Sequence, residues 1–581
     1  MPYTPAVMIP NFGGATAMAW TAYTADDYVD FAYVEDFCRE LAADFPEWVA
    51  LEEVGESHRG RPLLLLTISA EGPTGGGAER GRRPALWLDA GTHASEWTGV
   101  SAVLYTISRW IERLDVGDPM LTSWFESREV VAMPCISPDG VQAMHDGAPF
   151  IRSSLRPAHS DEVRHGLDPC DIDGDGAVRT MRWKHPAGSF VEDPEWAPFM
   201  RPRTLDDDPE DAYFLCDEGE FINWDGVQWT SAPREFGVDL NRNFPGHWEP
   251  FSMFGMDAGR FPLSEPESRA VVDAFAEHPH IGCALTMHTY TGCILTQPYR
   301  KDSPLSKADV DLMEQLAEDI AEGTDYKVFK VYPDFMYDKD KPIVGVWADT
   351  ISSVFGVPGY TVELWDPFGH AELEVDNPVE FLQRPDPERL RKLLLKFTED
   401  DENFEPWRTH EHPQLGEVEI GGIEYLRTVR NPPQKLLANE CLKAFEMAER
   451  ARRALPDVRT TLDVTPLGEG AQRLRLIVEN LGFLPTSGLA RGADVGASPP
   501  VTVKIELGEG LSCDEPLEKS VEHLDGWGNL RTGAARSALY AGLPSRGNRQ
   551  FVEWVVRGQG TLEMSWQVGR AGGGGEEVEL E

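Results

Sequence analysis

Two hydrophobic rhythms alternate from Tyr28 to about Phe397. In "YVDFAYVEDFCRELAADFP" apolar residues recur every three or four positions until Pro46, which predicts an amphipathic helix stopped by the proline. "PLLLLTISA" and "PALWLDAG" are continuous apolar runs of strand length, as expected of buried strands. "SAVLYTISRWIERL" returns to the helical period, with Leu104, Ile107, Ile111 and Leu114 on one face. Further strands are expected at "EVVAMPCI", "IGCALTMHTY" and "GYTVELW". Helices interleaved with buried strands predict an α/β domain over residues 22–400 with a largely parallel or mixed sheet.

The rhythm changes after that. Residues 401–456 read as a charged linker carrying one helix, "QKLLANECLKAFEMAERARRAL", ended by Pro456. Short alternating segments separated by Gly, Pro and Ser then predict a small antiparallel β-sandwich over 457–572, followed by a glycine-rich tail, "RAGGGGEEVELE", expected to be mobile near its end.

Composition narrows the function classes. A hydrophobic fraction of 41%, with 17 Trp, 26 Phe and 14 Tyr, supplies ample core for more than one domain in 581 residues. The 98 Asp plus Glu against 53 Lys plus Arg would repel a nucleic acid or an anionic bilayer, so neither is an expected partner. No basic, apolar leader opens the sequence and no run of about 18 apolar residues occurs, which favours a cytoplasmic protein. The eight cysteines are scattered without a CxxC pair and are expected to be free thiols. Oligomeric state is not legible.

Chemistry enters at "GTHASEW", where His93 and Glu96 follow an apolar run at a spacing that can converge both side chains on one metal ion. Alone, such a pair is equally a polar loop. His288 in "CALTMHTYTG" offers a third ligand at the end of an apolar strand, although a core histidine bonded to backbone would look the same. Glu363 in "GYTVELWDP" stands among apolar neighbours, where an unpaired carboxylate would be costly. "GVDLNRNFPGHW" adds Asp239, Asn241 and Arg242, a natural clamp for an anion.

In this order, "GTHASEW", "GVDLNRNF", "TMHTY" and "YTVEL" resemble the signature of the zinc carboxypeptidases of the carboxypeptidase A type, and the resemblance covers roughly Tyr28 to Phe397. It implies a twisted mixed sheet flanked by helices. It also implies zinc on His93, Glu96 and His288, Glu363 as general base toward a zinc-activated water, and Asn241 and Arg242 on the terminal carboxylate of a peptide or protein. Asp239 would orient a ligand histidine from behind, and Arg152, with Arg156 as runner-up, would polarise the scissile carbonyl. Tyr337 is the nearest match to the family's mobile tyrosine, and Val346, Trp347, Ala348 and Asp349 fall where a specificity pocket is expected, Asp349 favouring basic terminal residues if it points inward.

One departure from the compact pattern stands out. The long gap between Arg152 and Asn241 holds "DPCDIDGDGAVRTMRW", in which Asp171, Asp173, Asp175 and Gly176 copy the first half of a calcium loop while Arg182 occupies its twelfth position. An Asx-stabilised turn and a calcium site both remain open. Two alternatives to the carboxypeptidase are a related zinc deacylase or amidase acting on acylated amino acids or cell-wall peptides, and a binding protein that keeps the fold without catalysis. The second predicts a broken triad or base, and neither is broken.

Overall fold

The computed structural model describes residues 20–69, 83–157, 163–253, 256–338, 341–399, 403–530 and 547–581. Its centre is an eight-stranded mixed sheet in the order Val49–Glu56, Pro62–Ile68, Glu129–Met133, Ala85–Ala90, Ile281–Thr289, Gly359–Leu364, Cys293–Thr296, Lys327–Lys330. Ala85–Ala90, Ile281–Thr289 and Gly359–Leu364 lie side by side and run parallel. The first two are buried along their whole length, which is why they read as unbroken apolar runs rather than alternating ones.

Helix Trp97–Asp115 leaves the end of Ala85–Ala90 and packs on the sheet with Val100, Val103, Leu104, Ile107 and Ile111 buried. The turn that launches it depends on Gly91, whose φ of +68° favours glycine and where a Cβ would press on Cys135 Sγ at 3.1 Å. All eight cysteines are free. No helix among the described residues is long and apolar enough to cross a membrane.

The stretch expected to be a linker is built into the domain. Strands Phe404–His412 and Gly416–Ile423 form a hairpin that joins Thr180–Lys184, Tyr213–Asp217, Phe190–Glu192 and Met200–Pro202 of the long insertion into a six-stranded sheet. The hairpin covers a sheet edge that would otherwise expose unpaired backbone groups. Arg182 locks it, donating to Glu192 at 2.8 Å and Glu419 at 2.9 Å while lying over the Tyr213 and Trp407 rings. Helix Gln434–Arg453 then packs on Trp97–Asp115, where buried Trp110 donates its indole N–H to Glu449 at 2.7 Å. Charge on the outer faces of these elements is what gave them a linker-like composition.

The C-terminal strands form two four-stranded sheets, Val458–Gly468, Ala471–Asn480, Arg549–Gly558, Leu511–Cys513 and Glu518–Val521, Val501–Leu507, Gly560–Val568, Gly573–Leu580. Their inner faces share a core around Trp554. The glycine-rich end is not a loose tail. Gly573–Leu580 is an edge strand paired with Gly560–Val568, and a Cβ on Gly574 would lie 3.0 Å from the Trp566 ring, so the glycines make room for an indole.

Candidate metal centre and its cavity

The site forms at the C-terminal ends of the three parallel strands, where open α/β sheets place their ligands. His93 and Glu96 lie in the turn after Ala85–Ala90, Glu96 being the residue that begins the next helix. His288 and Glu363 are direct register partners on adjacent strands, so strand pairing alone sets one beside the other. A cavity of about 250 Å³ opens over them, with Glu96 and Glu363 in its wall.

His93, Glu96 and His288 converge. Each offers a ligand atom within 4.8 Å of the other two, and all three side chains are nearly inaccessible, at 4%, 2% and 1% exposed. His93 Nδ1 stands 2.9 Å from Glu96 Oε1, His288 Nδ1 stands 2.9 Å from Glu96 Oε2, and the two Nδ1 atoms are 3.1 Å apart. Both imidazoles therefore turn Nδ1 inward, and their outer nitrogens are held from behind. Asp239 Oδ1 lies 3.2 Å from His93 Nε2, and Thr286 Oγ1 lies 3.0 Å from His288 Nε2. Two imidazoles with anchored outer nitrogens and one carboxylate are a donor set suited to zinc.

Electrostatics separates the carboxylates by role. Burial works against the charge on Glu96, but His93 and His288 hold its carboxyl well below the usual range. Asp239 is likewise held well below, burial being overcome by Arg152 and His93. Glu363 goes the other way, pushed up to about 7 by burial and then by the nearby charge of Glu96. That places it where a group can both accept and return a proton near neutrality.

The arginines divide as sharply. Arg152 donates Nε to Asp239 at 3.2 Å and Nη1 to Glu96 at 3.0 Å, which brings it to the metal centre, whereas Arg156 is taken by Glu265 outside the cavity. Arg242 enters the cavity from the short 3-10 turn Leu240–Arg242, which Asp239 caps by accepting the N–H of Asn241 at 2.9 Å. Its Nη1 donates to the Asn241 carbonyl at 2.7 Å, but its buried Nε meets no acceptor among the described residues. The carbonyl of Asn241's side chain accepts the Trp347 N–H at 2.9 Å, which fixes the amide's orientation, and its NH2 is the group that can donate to an anion. Gly345 makes this junction possible, because a Cβ there would lie 2.1 Å from the Arg242 carbonyl oxygen.

Tyr337 stands in the cavity wall. The expected pocket residues do not. Ala348 belongs to a closed apolar cluster with Tyr299 and Val346, and Trp347 is core, donating Nε1 to Asp89 at 2.8 Å. Asp349 is buried and satisfied by Gln297 at 2.7 Å and His247 at 2.6 Å, so its charge does not face the cavity. The acidic loop is also accounted for by its own donors. Asp171 accepts the N–H groups of Gly174 and Gly176, Glu218 those of Ile172 and Arg179, and Asp175 is drawn 2.6 Å from Arg179 Nε. Asp171, Asp173 and Glu218 lie close together, but with Asp175 on Arg179 the calcium-loop pattern is not completed and the Asx turn describes the segment.

Arg430 and Arg234 complete the wall, and neither was expected. Arg430 reaches within 3.3 Å of Glu96 Oε1 from the stretch taken as a linker. It is positioned by its neighbour Asn431, which is fully buried, accepts from the N–H and hydroxyl of Thr98 and donates to the Ser95 carbonyl at 2.9 Å. The available signal was the uncharged "NPP" after Arg430, a poor fit to a solvated linker.

The chain is similar in sequence to known carboxypeptidases. Mouse carboxypeptidase A4 is 25% identical over 313 residues, covering 51% of this chain and 56% of that protein. Carboxypeptidase B of Astacus astacus is 32% identical over 123 residues, or 21% and 35% of the two chains. The chain thus spans about half the length, or less, of the curated relatives it matches. Among solved structures, bovine thrombin-activatable fibrinolysis inhibitor in complex with tick carboxypeptidase inhibitor is 16% identical with a TM-score of 0.43, covering 74% of this chain and 97% of that one. Residues 459–581 match a domain of unknown function, which carries the C-terminal unit to the end of the chain rather than to residue 572. Residues 34–191 and 210–371 match the zinc carboxypeptidase family model, and with more than half its length so matched the chain belongs to the zinc carboxypeptidase family.

Proposed function

We propose that the protein is a zinc-dependent metallocarboxypeptidase that removes the terminal residue of peptides or proteins. The observation that carries this reading is the convergence of His93 Nδ1, His288 Nδ1 and the Glu96 carboxylate beneath a cavity whose wall also holds Glu363 and four arginines. Zinc held by these three side chains would supply Lewis acidity to a carbonyl oxygen and to water.

The chain's own groups do the rest. Arg242, whose side chain lines the cavity, and the NH2 of Asn241 bind the terminal carboxylate. Arg152, held in place by Asp239 and Glu96, donates to the scissile carbonyl oxygen as negative charge develops on it. Glu363 takes the proton of the attacking water and returns it to the leaving amine. Tyr337 closes the wall over the bound residue.

The test is Glu363→Gln. The variant keeps shape and burial, so zinc content should match the parent while turnover of a peptide substrate falls by about 10²–10⁴. Near-parental turnover with zinc bound would exclude Glu363 as the base.

A further inference from the structure

We infer that the cavity holds a second anion-binding position, formed by Arg234 and Arg430 beside the Phe150 ring, which selects peptides with acidic side chains just before the bond to be cut. The inference rests on the carboxypeptidase reading and names the substrate class of that same cavity.

Charge balance is the first argument. Four guanidiniums, those of Arg152, Arg234, Arg242 and Arg430, line the cavity against the two carboxylates of Glu96 and Glu363. This happens in a chain with 98 acidic and 53 basic residues, so the cavity is a local reversal of the molecule's field, and a concave site focuses such a field on whatever enters it.

Partnering is the second. Arg152 is committed to Asp239 and Glu96, and Arg242 to the terminal carboxylate. Arg234 makes no hydrogen bond or ion pair among the described residues, and its guanidinium lies 5.2 Å from the Phe150 ring centre. Arg430 lies 5.6 Å from the same ring and 4.9 Å from that of Tyr290. Its contact with Glu96 uses Nη1, while its buried Nε has no acceptor among the described residues. Burial and the charges of Arg152 and Arg430 press the Arg234 guanidinium toward losing its proton, with Asp217 as the opposing carboxylate. An incoming carboxylate would relieve that repulsion and pair with the guanidiniums that line the cavity.

Direction is the third. Arg430 and Arg152 both reach Glu96 Oε1, whereas Arg242 lies against Asn241 and the Phe251 ring. A peptide with its terminal carboxylate on Arg242 and its scissile carbonyl at Arg152 therefore carries its preceding side chains toward Arg430 and Arg234.

The experiment uses the zinc-loaded full chain and three peptides identical except for Glu, Gln or Lys at the penultimate position. kcat/KM should favour Glu over Lys by about tenfold or more, and the ratio should shrink as salt is raised. Arg234→Glu should move the Glu-to-Lys ratio by at least about tenfold toward Lys. Arg430→Gln should lower it too, with zinc content measured in parallel because Arg430 touches Glu96. Equal rates on the Glu and Lys peptides, or a ratio unmoved by Arg234→Glu, would overturn the inference. If the zinc-loaded protein cuts none of the peptides, hydrolysis is what fails, and calorimetric binding of the same peptides decides the subsite: tighter binding of the Glu peptide supports it and equal affinities refute it.

Discussion

Buried arginines do opposite work at the domain junction and in the cavity. Where the sandwich meets the zinc carboxypeptidase domain, Arg570 is 1% exposed and has no carboxylate partner among the described residues. It donates instead to the carbonyls of Pro279, Ile281, Phe355, Ser487 and Ala497, which ties the strand Ile281–Thr289 and the segment after helix Trp347–Ser353 to the sandwich. Burial brings its pKa down to about 10. In the cavity, Arg242 and Arg430 each keep a buried Nε without an acceptor among the described residues. An arginine saturated by carbonyls holds two units together, and one whose side chain lines a cavity without being saturated is held ready for a ligand.

Substitution should separate these roles. Arg570→Met would strand several buried carbonyls, each costing about 1–3 kcal/mol, so a loss of several kcal/mol in the unfolding free energy is expected by denaturant titration, with turnover per folded molecule retained. Stability close to the parent's would break the comparison. Arg242→Met should do the reverse, lowering kcat/KM on a peptide by about 10²–10³ while costing about 1–3 kcal/mol of stability, less than Arg570→Met, since it strands the Asn241 carbonyl rather than several. A large fall in stability without loss of activity would make Arg242 another structural arginine.

The same contrast explains what could be read in advance. The catalytic strands and the ligand turn were legible because burial on both faces writes itself as apolar runs, and because His93, Glu96, His288 and Glu363 interrupt those runs where polar residues are costly. Arg430 was not, since its role depends on Asn431 fastening a distant segment behind Glu96, a contact between residues more than 330 positions apart. Ala348 and Asp349 were misplaced for a related reason. Sequence order puts them near the cavity, but the helix beginning at Trp347 turns Asp349 onto His247 and Gln297. The glycine-rich end looked loose because the residue it accommodates, Trp566, lies on the neighbouring strand.

The most direct test of the central claim is mass spectrometry of one peptide offered as free acid and as C-terminal amide, to zinc-loaded and to chelator-stripped protein. The account predicts loss of single terminal residues from the acid, little or none from the amide, and no cleavage after stripping until zinc is restored. Equal trimming of acid and amide, or trimming that survives complete removal of metal, would contradict it.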